Sequence, residues 1–241
     1  MIDIHSHIIY DIDDGCKTIE ESIQTILKLK EIGFDKLILT PHYINGSNYV
    51  IDNKEKKERL NILKEELLKR KIDVELFLGN EIYINDEIDE LMLSKKITTL
   101  NKSRYLLIEF PLYNKVNNID DYIYELKLKG YIIIIAHPER YEYFKDNYKE
   151  VDRLYQTGVL FQCNYGSLIG KYGKKTQKLI EYLLKNKMVT FMSTDIHNPN
   201  SSMIDNFSLI KNKIVSIIGN DNFKKISNDN ALKVINDEII E

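Results

Sequence analysis

YIIIIAHPERY, residues 131–141, is the stretch that decides the fold. It begins with an uninterrupted apolar run, which predicts a strand over 131–137 that is covered on both faces. A histidine ends this run, and a glutamate and an arginine follow closely. Comparable apolar runs occur at 2–4, 36–40, 74–79, 105–110, 159–164 and 189–194. Seven buried strands of this kind predict a parallel sheet.

Amphipathic helical patterns separate these strands. They cover residues 18–32, 53–70, 86–93, 119–129, 147–157, 174–187 and 203–217. Alternation of strands with helices predicts successive βα units, and seven such units favour a distorted (β/α)7 barrel over an open doubly wound sheet. No linker rich in proline, glycine or serine interrupts the pattern. We therefore expect one α/β domain over residues 1–241.

Composition and charge exclude several classes of protein. With 34 basic and 37 acidic residues, the chain has no overall positive field that would attract nucleic acid. No apolar run approaches the roughly 18 residues that span a bilayer, so we expect no membrane insertion. The N-terminus lacks the layout of a signal peptide, and Cys16 and Cys163 give no disulfide framework. These features predict a cytoplasmic protein, whereas the oligomeric state is left open.

All five histidines lie at or just beyond the carboxyl end of a predicted strand. Ligands and catalytic groups converge at this edge in parallel α/β folds. His5 and His7 are two residues apart, so on a strand both side chains would face the same side and could bind one ion. The shared position favours a role as ligands over ordinary core or surface histidines. The five are His5, His7, His42, His137 and His197.

Three acidic residues, Glu81, Glu109 and Asp195, follow the same rule. A carboxylate at the end of an apolar strand is costly to bury unless it is paired or bound to metal. Imidazole together with carboxylate suits Zn²⁺, Mn²⁺ or Fe²⁺, whereas Mg²⁺ and Ca²⁺ sites are almost entirely oxygen. Counting Asp14 as well gives nine candidate ligands, which suits two or three ions. Asp11 and Asp13 remain alternatives to Asp14, or are turn and helix-capping residues.

Five motifs, in this order and spacing, resemble those of the PHP (polymerase and histidinol phosphatase) superfamily. They are HSH (5–7), TPHY (40–43), GNEIY (79–83), AHPERY (136–141) and STDIHN (193–198). SRYLLIEF (103–110) and QCNYGSLIGKYG (162–173) are similar to one branch, the bacterial tyrosine phosphatases of capsule and exopolysaccharide operons, or CpsB/YwqE type. The resemblance implies a distorted TIM-like (β/α)7 barrel, the PHP fold, with a three-metal centre.

The resemblance also implies how the metal ligands are divided among the ions. Manganese is the first choice, with iron, zinc or cobalt as alternatives. One ion would take His5, His7, Glu81 and Asp195; a second would share Glu81 and add Glu109 and His137; a third would take Asp14, His42 and His197.

Two phosphate-binding arginines belong to the same resemblance. Arg140 matches the first, and a planar bidentate donor suits phosphoryl oxygens. Ser201 and Ser202 occupy the place where the second is expected. Lys211, Lys213 or another cation would then have to replace it, or phosphate binding would differ.

The implied activity is hydrolysis of phosphotyrosine by attack of a metal-bridging hydroxide on phosphorus. Asp14 or His197 would assist proton transfer to the leaving oxygen, and Tyr10, Tyr43 and Tyr165 are candidates for stacking on the substrate ring. The implied substrate is the autophosphorylated, tyrosine-rich tail of a polysaccharide-assembly kinase.

The sequence lacks the residues that two other hydrolase mechanisms require. A cysteine-dependent phosphatase needs an arginine six positions after its cysteine, and Ser22 and Ile169 stand there instead. No strand-end lysine is available for the carboxylated lysine of C–N hydrolases. A small-molecule phosphatase of the histidinol-phosphate type remains an alternative, as does a catalytically weak regulator that docks on a kinase.

Overall fold

The computed structural model describes residues 1–50, 52–84 and 97–240, and within them the strands form two parallel sheets. The first sheet contains β1 (Ile2–Asp3), β2 (Lys36–Leu39) and β4 (Glu75–Leu78), in the order β1-β2-β4. The second sheet has the order β3-β5-β6-β7-β8-β9. Its strands are β3 (His42–Tyr43), β5 (Glu81–Tyr83), β6 (Tyr105–Glu109), β7 (Ile132–Ala136), β8 (Leu160–Asn164) and β9 (Val189–Ser193). The predicted parallel α/β fold is confirmed.

Two short strands that the sequence did not predict follow the second and third predicted strands. β2 ends before a break at Thr40–Pro41 and β4 before a break at Gly79–Asn80, and the chain then continues as β3 and β5 of the other sheet. Gly79 packs closely there, since an added Cβ would lie 2.6 Å from Leu100 Cδ2 and the Leu100 side chain would have to shift. These breaks place His42 directly beside Glu81 in the register of β3 and β5.

The first and last strands are joined just beyond their carboxyl ends. Ser6 and Ile196 form an isolated parallel bridge. The amide of His7 donates to Ile196 O at 2.9 Å, and the amide of Asp195 donates to His5 O at 3.0 Å. The residues that follow β1 therefore lie against those that follow β9.

The helices lie mostly where they are predicted. Thr18 caps the first, since its Oγ1 accepts a hydrogen bond from the amide of Glu21 at 3.2 Å. The prediction at 86–93 lies outside the described residues. The one at 203–217 is divided at Asn206, whose φ of −102° and ψ of 9° end the first piece. The helices are α1 (Ile19–Glu31), α2 (Asn53–Lys69), α3 (Ile119–Leu128), α4 (Glu142–Lys145), α5 (Tyr148–Gln156), α6 (Lys174–Lys185), α7 (Ser202–Asp205), α8 (Phe207–Lys224) and α9 (Asn230–Ile235).

Apolar side chains cover both faces of the strands, as the uninterrupted apolar runs predict. In β7, Ile133 and Ile135 belong to the larger core cluster, and Ile134 belongs to a smaller one. The smaller cluster also contains Ala231 and Val234 of α9, so the C-terminal helix packs against that face. Among the described residues, no helix combines the length and apolar character needed to cross a membrane.

Candidate metal centre

The five histidines lie close together beyond the carboxyl ends of the strands. The ring of His7 is 5.3 Å from that of His5, 4.4 Å from that of His42 and 4.1 Å from that of His197, between centroids. The His137 ring is 5.6 Å from that of His5. His137 and Asp195 have φ values of 34° and 48°, in the left-handed region that residues other than glycine seldom adopt. Such backbone outliers are concentrated at functional sites.

A fully buried group of four residues surrounds the Nε2 atoms of His5 and His7. These two nitrogens are 3.2 Å apart. Glu81 Oε2 lies 3.2 Å from the first and 3.3 Å from the second, and Asp195 Oδ1 lies 3.6 Å and 3.4 Å from them. Two imidazoles and two carboxylates converging in this way form a donor set that fits a divalent transition metal.

Three further candidate ligands adjoin the same Glu81 carboxylate. Its Oε1 lies 2.9 Å from His137 Nε2, which is 3.6 Å from Glu109 Oε1. His42 Nδ1 lies 3.0 Å from Glu81 Oε2, yet it forms no hydrogen bond with a described residue. Burial, followed by the negative charge of Glu81, raises the pKa of Glu109 to about 8. A cation between these groups would relieve that repulsion, so this set also fits a metal ion.

An exposed edge of the centre is formed by Asp14, His42 and His197. Asp14 Oδ1 lies 3.5 Å from the Nε2 atom of each histidine. The hydrogen bond with His197 is the main cause that lowers the pKa of Asp14 to about 2. His7 also lies within ligand distance of this group, and His42 within that of Glu81 and Glu109. His7 and His42 therefore each belong to two of the three groups, whereas the sequence resemblance implied that only Glu81 is shared.

The three aspartates after HSH have different surroundings. Asp14 faces the histidines, whereas Asp13 is buried and accepts a hydrogen bond from His7 Nδ1 at 2.9 Å. Asp13 also accepts from the amide of His42 at 3.1 Å. Asp11 is exposed and lies 3.2 Å from Arg59 Nη1. Only Asp14 among the three belongs to a potential metal group of the described residues.

A layer of polar side chains orients the buried ligands. His5 Nδ1 donates to Gln162 Oε1 at 2.7 Å and His7 Nδ1 donates to Asp13 Oδ2, so both Nε2 atoms of the HSH motif are directed into the centre. Asn164 donates from Nδ2 to Asp195 Oδ2 at 2.7 Å. Sequence reasoning missed Gln162 and Asn164, although two polar residues inside the buried strand VLFQCN (159–164) were a signal that could have identified them.

Protonation of the buried ligands depends on the carboxylates around them. Burial opposes the charge on His5, but Glu81 and Asp195 outweigh burial and raise the pKa of His5 to about 9. Burial has the same opposing effect on His7, and Asp13 leads the groups that raise its pKa. At His137, burial and the nearby Arg140 lower the pKa to about 4. The carboxylates thus hold positive charge in the centre, which protons or metal ions can supply.

Arg140 lies beside the centre, whereas the two lysines suggested for the second arginine do not. Arg140 Nη1 donates to Asp195 Oδ2 at 2.9 Å. Lys213 Nζ binds Glu181 Oε1 at 2.5 Å, and Lys211 Nζ lies 5.6 Å from the centroid of the Phe223 ring. Both lysines are therefore engaged elsewhere.

Two tyrosines predicted to contact the substrate are instead part of the core. Tyr43 is 1% exposed and Tyr165 is 0% exposed. The Tyr165 ring packs on Phe34 and Phe207, with centroids 6.0 Å and 5.2 Å away. Neither ring is accessible, so the prediction that they stack on a substrate is wrong. Tyr49, which is partly exposed, instead stacks on His42 at 5.9 Å.

Comparison with known proteins relates the chain to capsule synthesis. The family model described as "Capsular polysaccharide synthesis, CpsB/CapC" matches residues 1–236. The putative tyrosine-protein phosphatase CapC of Staphylococcus aureus is 36% identical over 198 residues, which are 82% of this chain and 77% of that protein. Tyrosine-protein phosphatase YwqE of Bacillus subtilis is 33% identical over 198 residues, covering 82% and 78%.

Solved structures agree with these relatives. One, described as YwqE from Bacillus subtilis and CpsB from Streptococcus pneumoniae, "unique metal-dependent tyrosine phosphatases", has a TM-score of 0.86 and 28% identity. The match covers 100% of this chain and 96% of the solved chain. Histidinol phosphate phosphatase from Lactococcus lactis has a TM-score of 0.57 at 14% identity, covering 88% and 92%, which is a likeness of fold alone.

Proposed function

Because the chain belongs to the CpsB/CapC family of capsular polysaccharide synthesis proteins, we propose that it is a metal-dependent protein-tyrosine phosphatase. The observation that carries the proposal is the convergence of two histidines and two carboxylates within a few ångströms of one another, directly beside Arg140. They are His5, His7, Glu81 and Asp195. A phosphomonoesterase needs metal ligands and a phosphate-binding cation in this proximity.

We propose that two or three divalent ions bind at the centre, with manganese as the first choice and iron, zinc or cobalt as alternatives. The mixed imidazole and carboxylate donor set supports this choice. When bound, the ions supply a nucleophilic water of lowered pKa and neutralise charge on the phosphoryl oxygens. The proposed ligands are His5, His7, Asp14, His42, Glu81, Glu109, His137, Asp195 and His197.

Arg140 is the proposed phosphate-binding residue. Its hydrogen bond to Asp195 orients the guanidinium, and its remaining N–H groups can donate to phosphoryl oxygens. Asp14 and His197 line the exposed edge, so they are the groups best placed to assist proton transfer to the leaving oxygen. Because the pKa of Asp14 is lowered to about 2, its ionised carboxylate would orient the proton donor, and a protonated His197 imidazole would donate the proton. A phenolate needs little such help, because it is a good leaving group.

The strands are proposed to form one distorted (β/α)7 barrel in a single domain over residues 1–241. The bridge between Ser6 and Ile196 supports closure, since it links the first strand to the last. The likeness in fold to histidinol phosphate phosphatase supports the same architecture.

The proposed substrate is a phosphotyrosine protein, and within capsule synthesis the tyrosine-rich tail of the polysaccharide-assembly kinase. Tyrosine-protein phosphatases among the relatives support this substrate class. We also propose a cytoplasmic location, which suits the two free, buried cysteines, Cys16 and Cys163.

The test compares two substrates on metal-loaded protein. Release of phosphate from a phosphotyrosine peptide should exceed release from histidinol phosphate, and substitution His7→Ala should abolish both. A preference for histidinol phosphate would replace the proposed substrate class with a small-molecule one. Metal-loaded protein that hydrolyses no phosphomonoester would favour the regulator that docks on a kinase, and would refute the enzyme.

A further inference from the structure

Two cations lie against the same aromatic ring at the edge of the centre. Arg140 Cζ is 4.5 Å from the centroid of the Tyr172 ring, and Lys171 Nζ is 5.1 Å from it. Such contacts between a cation and a ring are attractive and hold the charged groups in place. The Lys171 ammonium therefore lies one aromatic ring away from Arg140, which binds the candidate metal ligand Asp195.

The loop that carries Lys171 is tied to the centre by buried hydrogen bonds. Glu139 Oε1 accepts from the amide of Asn164 at 2.8 Å and from Ser167 Oγ at 2.7 Å. Asn164 in turn donates to Asp195. The amide of Lys171 donates to Gly166 O at 3.3 Å, which closes the loop on itself. The position of Lys171 relative to the centre is therefore set by the fold, although its side chain is exposed.

Other cations near the centre are occupied by the protein itself. Lys17 Nζ donates to Asp13 O at 2.8 Å, and Lys28 Nζ donates to Pro199 O at 2.7 Å. Arg59 binds the carbonyl oxygens of Tyr10 and Asp11. Within the described part of the chain, by contrast, the Lys171 ammonium forms no hydrogen bond or salt bridge.

Groups of both signs act on the Lys171 ammonium. Partial desolvation lowers the pKa of its ammonium, Asp195 opposes this effect and Arg140 adds to it. A phosphorylated tyrosine has a charge of about −1.5 to −2 and three acceptor oxygens, more than one arginine that is already paired with Asp195 can satisfy. A flexible lysine that carries a compact charge is a common phosphate ligand.

We infer that Lys171 is a second cationic contact for the phosphoryl group, acting beside Arg140. The inference rests on the proposed function, because it concerns the phosphate of the same substrate. Tyr172 positions both cations through its ring. Lys171 is thus a substrate-binding residue on the loop between β8 and α6.

The experiment compares wild type with Lys171→Ala, Lys171→Arg and Lys178→Ala, all loaded with metal. Lys178 is an exposed lysine on α6 and controls for the loss of one positive charge. We expect Lys171→Ala to raise KM for both p-nitrophenyl phosphate and a phosphotyrosine peptide roughly tenfold, with a smaller change in kcat. Lys171→Arg should recover most of this loss, and Lys178→Ala should match wild type.

Binding of inorganic phosphate, measured by calorimetry, provides a readout that does not depend on turnover. Lys171→Ala should weaken it by a similar factor while the melting temperature stays unchanged. Unchanged KM and unchanged phosphate affinity would overturn the inference, as would a loss confined to the peptide, because the lysine would then contact the polypeptide. If wild type cleaves p-nitrophenyl phosphate but no phosphotyrosine peptide, the proposed substrate fails, while the two phosphate measurements still decide the role of Lys171.

Discussion

The buried and the exposed halves of the centre differ in how their ligands are held. In the buried half, His5, His7, Glu81 and Asp195 are at most 3% exposed as side chains. In the exposed half, the side chains of His42, His197 and Asp14 are 13%, 28% and 50% exposed. Gln162, Asp13 and Asn164 fix the buried ligands, whereas His197 is held by a hydrogen bond to the backbone oxygen of Asp195.

This difference indicates that the two halves bind metal ions with different affinity. Preorganised ligands in a dry environment bind a metal ion tightly, because little reorganisation or water remains to compete. Ligands open to water bind more weakly and can exchange with substrate oxygens. We therefore expect ions in the buried half to be retained, and an ion at the exposed edge to be lost first.

The largest effect should come from Glu81, which both sets of buried ligands share. Glu81→Gln removes the charge while keeping the size, so activity should fall by more than about 100-fold, since even residues that only orient ligands cost 10- to 100-fold. Metal content, measured by mass spectrometry, should fall as well. Glu31→Gln, on the exposed surface of α1, is the control. Full metal content in Glu81→Gln would contradict the buried site.

Loss of an orienting residue should have the next largest effect. Gln162→Met keeps the volume but removes the acceptor for His5 Nδ1, so both activity and metal affinity should fall by about 10- to 100-fold. Activity and the dissociation constant of the metal are to be measured together. Gln156→Ala, exposed on α5, serves as the control. If Gln162→Met left activity and metal affinity as high as Gln156→Ala does, the orienting layer would have no role.

A ligand of the exposed edge should matter less. In Asp14→Asn, the neutral amide oxygen can still reach the ion but binds it more weakly than a carboxylate, so we expect roughly a tenfold loss of activity. Metal analysis should find that the buried ions are kept and that the weakest-bound ion is reduced. Loss of all ions in this variant would show that the two halves do not bind independently.

Contacts that hold the Asp11–Asp14 turn should have a smaller effect. Arg59 Nη1 donates to Tyr10 O at 2.7 Å and to Asp11 O at 2.6 Å. Arg59→Ala should loosen this turn and reduce activity severalfold, with most of the change in the exposed half. Arg59→Lys should recover part of the loss. An unchanged rate in Arg59→Ala would separate the turn from catalysis.

The smallest effect is a pH-dependent difference in stability between the metal-free and the metal-loaded protein. The pKa of His5 is raised from 6.5 to about 9 in the metal-free fold, so the stability it contributes is complete below about pH 6.5 and is lost as the pH rises through about 9. Bound to metal, the imidazole is neutral at both pH values.

Melting temperatures of chelated and metal-loaded protein at pH 6.5 and 9 measure this difference. From pH 6.5 to pH 9, the melting temperature of the chelated form should fall more than that of the metal-loaded form. Burial lowers the pKa of Lys56 to about 7, which gives a slope of opposite sign. This slope is present in both forms and cancels in the comparison. If the melting temperatures of the two forms changed in parallel with pH, the assignment of His5 as a metal ligand would be contradicted.

Sequence predicted the edge of the fold where ligands meet, but not the details that depend on side-chain direction. Apolar runs ending in histidine or a carboxylate place a residue at a strand end, whatever its exact neighbours. Asp13 and Asp14 are adjacent, and only the turn decides that Asp13 contacts His7 while Asp14 faces His197 at the exposed edge of the centre. Tyr43 and Tyr165 belong to motif loops, yet their rings pack into the core.

Two features of the fold were not predicted. Pro41 and Gly79 mark the ends of two predicted strands, but the short strands that follow them belong to the other sheet, and hydrophobic periodicity does not record this change of sheet. α9 contributes Ala231 and Val234 to the smaller core cluster through packing against distant strands. Both depend on tertiary contacts between segments far apart in sequence.

The central claim is tested most directly by metal content and phosphotyrosine-peptide hydrolysis measured on one preparation, before chelation, after it and after adding manganese back. We predict that hydrolysis is lost once chelation has removed the last ions, and that it returns when manganese is added back. Phosphate release that persists in protein free of metal would contradict the proposed centre.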